Sequence, residues 1–214
     1  MSNLTGYNPE EVTISINAIK SAYEVLVSVL GDRIQSEIVN GMADKWACAN
    51  AQKFFNEAFK PAVDGLLNGV NTTFESVINA MNEAAQIWAS DCGEVYSPTA
   101  FSLIIKSVDT SSILENISGI RGIDLDQASQ VAAKLPSIAA EAENAVARAS
   151  AAVDSCGFMG GSQAANLKAS LDVIKTNISN ATNEITSQTK AAFESTIATY
   201  GNAAGQISQA FAGN

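Results

Sequence analysis

The chain has 214 residues, of which 47% are hydrophobic but only 7% aromatic, and its formal net charge is −10. This acidity argues against nucleic acids and anionic lipid surfaces as partners. The sequence contains no histidine, so the commonest general base and the commonest metal ligand are missing. We therefore expect neither an enzyme nor a cofactor. Abundant alanine and aliphatic residues, with few prolines, predict an all-α protein.

The first predicted helix covers residues 9–42. Pro9, Glu10 and Glu11 are typical of a helix start, because proline fits the first turn and carboxylates favour the positive end of the helix dipole. Apolar residues then recur at alternating spacings of four and three, as in a seam that packs against other helices. The seam consists of Val12, Ile16, Ile19, Tyr23, Leu26, Leu30, Ile34, Ile38 and Met42.

Residues 44–55 (DKWACANAQKFF) lie between two segments of helical periodicity and are predicted to form the tip of a helical hairpin. Small and polar residues surround Trp46, and the aromatic pair Phe54 and Phe55 follows about two turns later. Trp46 can serve as a staple that holds the turn together, which we favour, or as an anchor that a partner recognises.

A second apolar stripe predicts a helix that ends near residues 91–93, with a kink or a restart at Pro61. Ser97 and Pro98 then mark a linker. Residues 100–117 are compatible with a strand or a short helix, and we expect the helix because no partner strand is evident. The first hairpin is thus assigned to residues 1–96, and the linker with its short helix to residues 97–122.

The second hairpin is predicted for residues 123–214. Asp124 and Gln127 have the spacing of a capping box at its start. Alanines then recur along one face, which favours close approach to neighbouring helices. A glycine-rich tip with Phe158 and Gly160 follows, and the last helix is long enough to form a rod of about 70 Å.

The two halves also resemble each other in sequence. FESVI at residues 74–78 matches FESTI at residues 193–197, and Trp46 aligns with Phe158 at the tips. The second copy has seven more residues between tip and phenylalanine; since these make about two helical turns, the apolar face keeps its direction.

Two hairpins that cover each other's apolar faces predict an elongated four-helix bundle with a Trp or Gly tip on each hairpin. If the hairpins pack antiparallel, the two tips lie at opposite ends. Cys92 and Cys156 then come to the same end, where a disulfide between them is a weaker hypothesis.

A two-helix hairpin with a tryptophan at its tip resembles the Esx-like WxG family, which comprises small helical substrates of the type VII secretion system of Gram-positive bacteria. In that family the tryptophan is followed by any residue, then by glycine, and later by an aromatic residue. Trp46 matches, as does Phe54 or Phe55, whereas Cys48 replaces the glycine.

The second tip departs from the motif in the opposite way, because Gly160 matches the glycine and Phe158 replaces the tryptophan. Members of the family are usually single hairpins that dimerise, so this chain resembles a tandem variant fused into an internal dimer. The family's export signal, a tyrosine followed four residues later by a carboxylate, is not found at Tyr96 or Tyr200.

The resemblance implies a non-enzymatic protein that is exported without a cleaved signal peptide and is cytoplasmic before export. Its partners would be the secretion machinery or a co-secreted helical protein, and it could form homo-oligomers. It would act as a substrate or an adaptor. Independently of the resemblance, the acidity predicts no nucleic acid bound, and the lack of an uninterrupted apolar run of about 20 residues predicts no membrane span. The alternative is a self-assembling helical structural protein or a component of a bundle-type pore-forming toxin.

Overall fold

The computed structural model describes residues 8–156 and 161–212. It is 77% helical, with four long helices packed together, so the predicted all-α class is confirmed. The long helices are α1 (Pro9–Met42), α2 (residues 49–91), α4 (Leu135–Asp154) and α5 (Gly161–Ala212), and a short helix, α3 (Leu125–Ala132), precedes α4.

Two helices begin as their sequences predict. At the start of α1, the Asn8 side chain accepts hydrogen bonds from the amides of Glu10 and Glu11, and Pro9 occupies the first turn. At the start of α3, the Asp124 carboxylate accepts from the Gln127 amide at 3.1 Å and from the Gln127 side chain at 2.8 Å. Both caps bond amides that have no acceptor within the helix.

Both helices of the first hairpin contain π-helical turns. Ser28–Val39 of α1 is π-helical, and so is Phe55–Phe59 of α2, directly before Pro61. A proline inside an α-helix removes one backbone hydrogen bond and clashes with the preceding turn. Pro61 lies in the first turn of the α-helical segment that follows the π-helical turn, a position that tolerates proline, and α2 continues to Asp91.

The four long helices pack around a common core. Helix α1 contacts α2 and α4, and α5 contacts α4 and α2, so each pair of helices covers the apolar face of the other. Helix α4 contributes mainly small side chains to this core, as its alanine stripe predicts. The buried ones are Ala139, Ala142, Ala145, Ala149 and Ala152.

The turns that end α1 and α4 lie at opposite ends of the protein. After α4, the Ser155 hydroxyl lies 3.4 Å from the hydroxyl of Ser15 near the start of α1. After α1, Trp46 instead packs against Phe193, which lies late in α5. The two helix pairs are therefore antiparallel to each other.

Residues 92–121 contain no helix, which corrects the short helix expected within residues 97–122. The chain instead runs extended between α1 and α2, where side chains of these helices bond its backbone. It then forms β2 (Gly122–Ile123), which pairs antiparallel with β1 (Trp46–Ala47) in the register Trp46 to Ile123.

Candidate functional site

The predicted hairpin tip is built around Trp46, whose side chain is 0% exposed. Its ring contacts three phenylalanines: Phe193 edge-on at 4.8 Å between centroids, Phe54 at 5.7 Å and Phe55 at 6.1 Å. Phe54 and Phe55 come from the start of α2 as predicted, whereas Phe193 comes from α5. The tip of the first hairpin is therefore closed by the second.

The polar atoms in this cluster are also satisfied. The Trp46 indole N–H donates to Oγ1 of Thr196 at 3.2 Å, and that hydroxyl donates to the Ala192 carbonyl at 2.8 Å. The Cys48 sulfur lies 3.9 Å from the same hydroxyl. Because a buried N–H without an acceptor is costly, Thr196 is the natural partner of a buried tryptophan.

The linker holds the tip from another side. Besides the ladder between β1 and β2, the Asp124 amide donates to the Lys45 carbonyl at 2.7 Å. The residues before and after Trp46 are thus fixed by backbone bonds to a segment more than seventy residues later. This geometry makes Trp46 a structural staple, and its side chain is not accessible to a partner.

The outer surface of this end is formed by residues other than Trp46. A shallow hollow of about 570 Å³ lies beside the ladder, and next to it the turn at residues 117–120 presents Ile120, which is 74% exposed. Asp44 and Lys45 form an exposed ion pair there, and the hydrogen bond from Lys45 lowers the pKa of Asp44. A partner that approached this end would meet the turn and these charges first.

The remaining predicted site residues are not brought to this cluster. Phe158 and Gly160 lie outside the described residues. Cys92 is an exposed, free cysteine beyond the end of α2, whereas Cys156 is buried, so the structure does not contain the predicted disulfide between them. Among the described residues, no group of three or more His, Cys, Asp or Glu is placed to hold a metal ion.

Phe193 and Thr196 were not predicted as partners of Trp46. A signal for them is present in the sequence, because both belong to the FESTI copy of the internal repeat. The repeat marks them as equivalents of Phe74 and Val77, but it does not indicate which residues they contact.

Comparisons with known proteins give no match: no family model matches the sequence, and neither a curated protein nor a solved structure is significantly similar to it.

Proposed function

We propose that the chain is a non-enzymatic helical protein of a type VII, Esx-like secretion system that acts by protein–protein interaction as a substrate or adaptor. The observation that carries this proposal is the position of the motif residues. Trp46 lies between two long helices, and Phe54 and Phe55 pack on its ring, as the resemblance to the WxG family requires of a hairpin tip.

The departure at Cys48 is compatible with this proposal. The backbone of Cys48 is extended, with φ −170° and ψ 169°, a conformation that any residue adopts. Glycine is therefore not needed at this position for its backbone freedom. The Cys48 side chain is buried against Thr196 and fills space that a glycine would leave to its neighbours.

The packing of the two helix pairs supports a further part of the proposal, namely that the chain is a tandem variant of the single-hairpin family. Members of the WxG family are usually single hairpins that dimerise. Here the same chain supplies Phe193 and Thr196 to Trp46, so the second helix pair occupies the place of a partner hairpin. We propose that the chain is a fused internal dimer, an elongated bundle that needs no second hairpin to close its core.

Export assays test the proposal. The chain would be expressed in a Gram-positive host that has a type VII system and in a matched strain that lacks the machinery, with a signal-peptide-bearing protein as the control for general secretion. We expect the chain in the medium of the first strain only, with the control secreted by both. Equal export from both strains would overturn the proposal.

One observation favours a second candidate, a component of a bundle-type pore-forming toxin. By length and composition α1 could cross a membrane, although half of its most apolar window is buried in the bundle, as in the core helix of many globular proteins. Dye release from liposomes tests this candidate. Release that depends on protein concentration would favour the toxin, and intact liposomes would leave the secretion proposal ahead.

A further inference from the structure

Residues 94–117, here called the strap, lie in the groove between α1 and α2 and are extended except for a turn at residues 110–113. From residue 104 to residue 110 the burial of the strap alternates strictly, with even-numbered side chains turned inward. This is the period of a β-strand. Yet over this stretch the backbone has no partner strand, so its N–H and C=O groups need other partners.

Side chains of α1 and α2 provide those partners, often for both backbone groups of one strap residue. The Asn82 amide accepts from the Thr99 N–H at 2.9 Å and donates to the Thr99 carbonyl at 3.0 Å. The Gln35 amide does the same for Asp109, at 2.7 and 2.9 Å. We call such a two-way contact a backbone clamp.

Two further clamps are built from pairs of side chains. The Val108 N–H donates to Asp64 at 3.0 Å, and its carbonyl accepts from Lys60 at 2.5 Å. The Ile104 N–H donates to the hydroxyl of Tyr23 at 2.6 Å. That hydroxyl in turn donates to Asn71, whose amide lies 3.5 Å from the Ile104 carbonyl.

Electrostatics keep these groups in the states that the clamps require. Burial raises the pKa of the Tyr23 hydroxyl, so at neutral pH it is protonated and can donate while it accepts. Burial alone would raise the pKa of Asp64, but hydrogen bonds from Lys60, the Val108 amide and Ser107 outweigh it and lower the pKa. The carboxylate is thus ionised and accepts from the strap.

The groove also makes specific contacts with side chains of the strap. Phe101 packs edge-on against Tyr23 at 4.9 Å between ring centroids. Lys106 bonds Asp32 at 2.7 Å, and its Cβ would lie 3.2 Å from a Cβ added to Gly31, so glycine permits the close approach. The other inward anchors are Tyr96, Ile104, Val108 and Ile113.

From these contacts we infer that the groove between α1 and α2 is a peptide-binding site that recognises an extended backbone, and that the strap fills it in cis. The ligand class is an extended peptide with aromatic or aliphatic residues at the inward positions and a basic residue at the position of Lys106. The Gln35 and Tyr23 clamps bond only backbone atoms of the strap and tolerate any outward side chain, as in other sites that bind extended peptides by their main chain. Lys60 and Asp64 also bond the hydroxyl of Ser107, which favours a small polar residue at that outward position. This inference is independent of the proposed export.

The test uses the full chain with protease recognition sequences inserted at the two exposed ends of the strap, beside Glu94 and in the turn at Ser118 and Gly119. Cleavage at both sites leaves the strap held only by non-covalent contacts. A fluorescein-labelled peptide of residues 94–117 is then added, and binding is followed by anisotropy and gel filtration. A peptide of scrambled sequence is the first control.

We expect the nicked protein to stay helical and the labelled peptide to exchange with the strap, while the scrambled peptide does not bind. The double variant Asn82→Ala with Gln35→Ala should weaken binding at least tenfold. The matched variant Asn183→Ala with Gln130→Ala, which changes exposed amides outside the groove, should leave binding unchanged.

Four results would overturn the inference. They are loss of helicity on nicking, no binding of the labelled peptide at millimolar concentration, equal binding of the scrambled peptide, and equal binding by the two double variants. Loss of helicity on nicking would mean that the helices need the covalently joined strap in order to stay folded. The others would mean that the groove does not recognise a peptide through its clamps.

Discussion

The Trp46 tip and the strap are both held against helices, but by different forces. At the tip, four aromatic rings and one buried hydroxyl make a cluster in which Trp46 is 0% exposed. Along the strap, single side-chain amides, a carboxylate and a phenol bond the backbone. The tip therefore depends mainly on burial of apolar area, whereas the strap combines a few buried apolar anchors with directional hydrogen bonds to its backbone.

This difference predicts that mutations at the two places have different consequences. Loss of the tip should lower the stability of the whole domain, because it joins both hairpins. Loss of one clamp should free one part of the strap and leave the bundle folded.

The largest effect is expected from Trp46→Ala. Removing a fully buried ring that contacts three phenylalanines should lower the free energy of unfolding by about 3–5 kcal/mol. Urea denaturation followed by far-UV circular dichroism measures it. Trp88→Ala, at a half-buried position in α2, is the control and should cost less; equal losses would contradict the role of Trp46 as the staple.

A smaller loss at the same cluster is expected from Thr196→Val. Valine has nearly the same shape but cannot accept from the Trp46 indole, and an unsatisfied buried N–H costs about 1–3 kcal/mol. Thr196→Ser keeps the acceptor and should retain most of the stability. The same urea titration distinguishes the two variants, and a Val variant as stable as the Ser variant would mean that the hydrogen bond is unimportant.

Tyr23→Phe should act mainly on the strap. The ring keeps its contacts with Phe74 and Phe101, but the Ile104 amide loses its acceptor. We expect local opening at Ile104 to become easier by about 1–2 kcal/mol, or roughly fivefold to thirtyfold faster amide exchange. The midpoint of urea unfolding should change less than in Thr196→Val. Tyr200→Phe is the control, and equal exchange at Ile104 in both variants would contradict the clamp.

The smallest effect concerns pH. The pKa values of Asp64 and Asp109 are lowered in the folded protein, that of Asp64 against the opposing effect of burial and that of Asp109 by hydrogen bonds from Ser111. A carboxylate whose pKa is lowered by folding stabilises the folded protein fully when the pH is above its ordinary pKa of 3.8. This stabilisation is lost as the pH falls through the folded-state pKa. The strap should therefore loosen only below about pH 3.8.

The Val108 amide resonance in NMR spectra follows this change. Asp64→Asn removes the carboxylate that accepts from the Val108 amide and should flatten the titration at Val108. A midpoint well above pH 4 in the wild-type chain would show that the Asp64 carboxylate is not stabilised as described.

Much of the fold was predictable because burial in helices is periodic. The seam of α1, the start of α1 at Pro9, the cap at Asp124 and the place of Trp46 between two helices all follow from local sequence. The strap was not predictable in the same way. Its apolar residues suit a short helix equally well, and its backbone partners, such as Tyr23 and Gln35, lie about eighty residues earlier in helices of ordinary appearance.

The candidate site was predicted in part for the same reason. Phe54 and Phe55 follow Trp46 closely and were identified, whereas Phe193 and Thr196 contact it only because the second hairpin packs antiparallel to the first. The Gln35 and Asn82 clamps leave no periodic signal, since amides on a helix surface are usually solvated. Contacts set by tertiary arrangement cannot be read from spacing alone.

Residue-resolved amide hydrogen exchange on the intact chain tests the central claim most directly, namely that the strap is a bound, backbone-clamped segment. The account predicts slow exchange for the amides of Thr99, Ile104, Val108 and Asp109, which donate to groove side chains. Fast exchange is predicted for Ile105, whose amide has no acceptor among the described residues. Exchange of all five amides at the rate of an unstructured peptide would contradict the account.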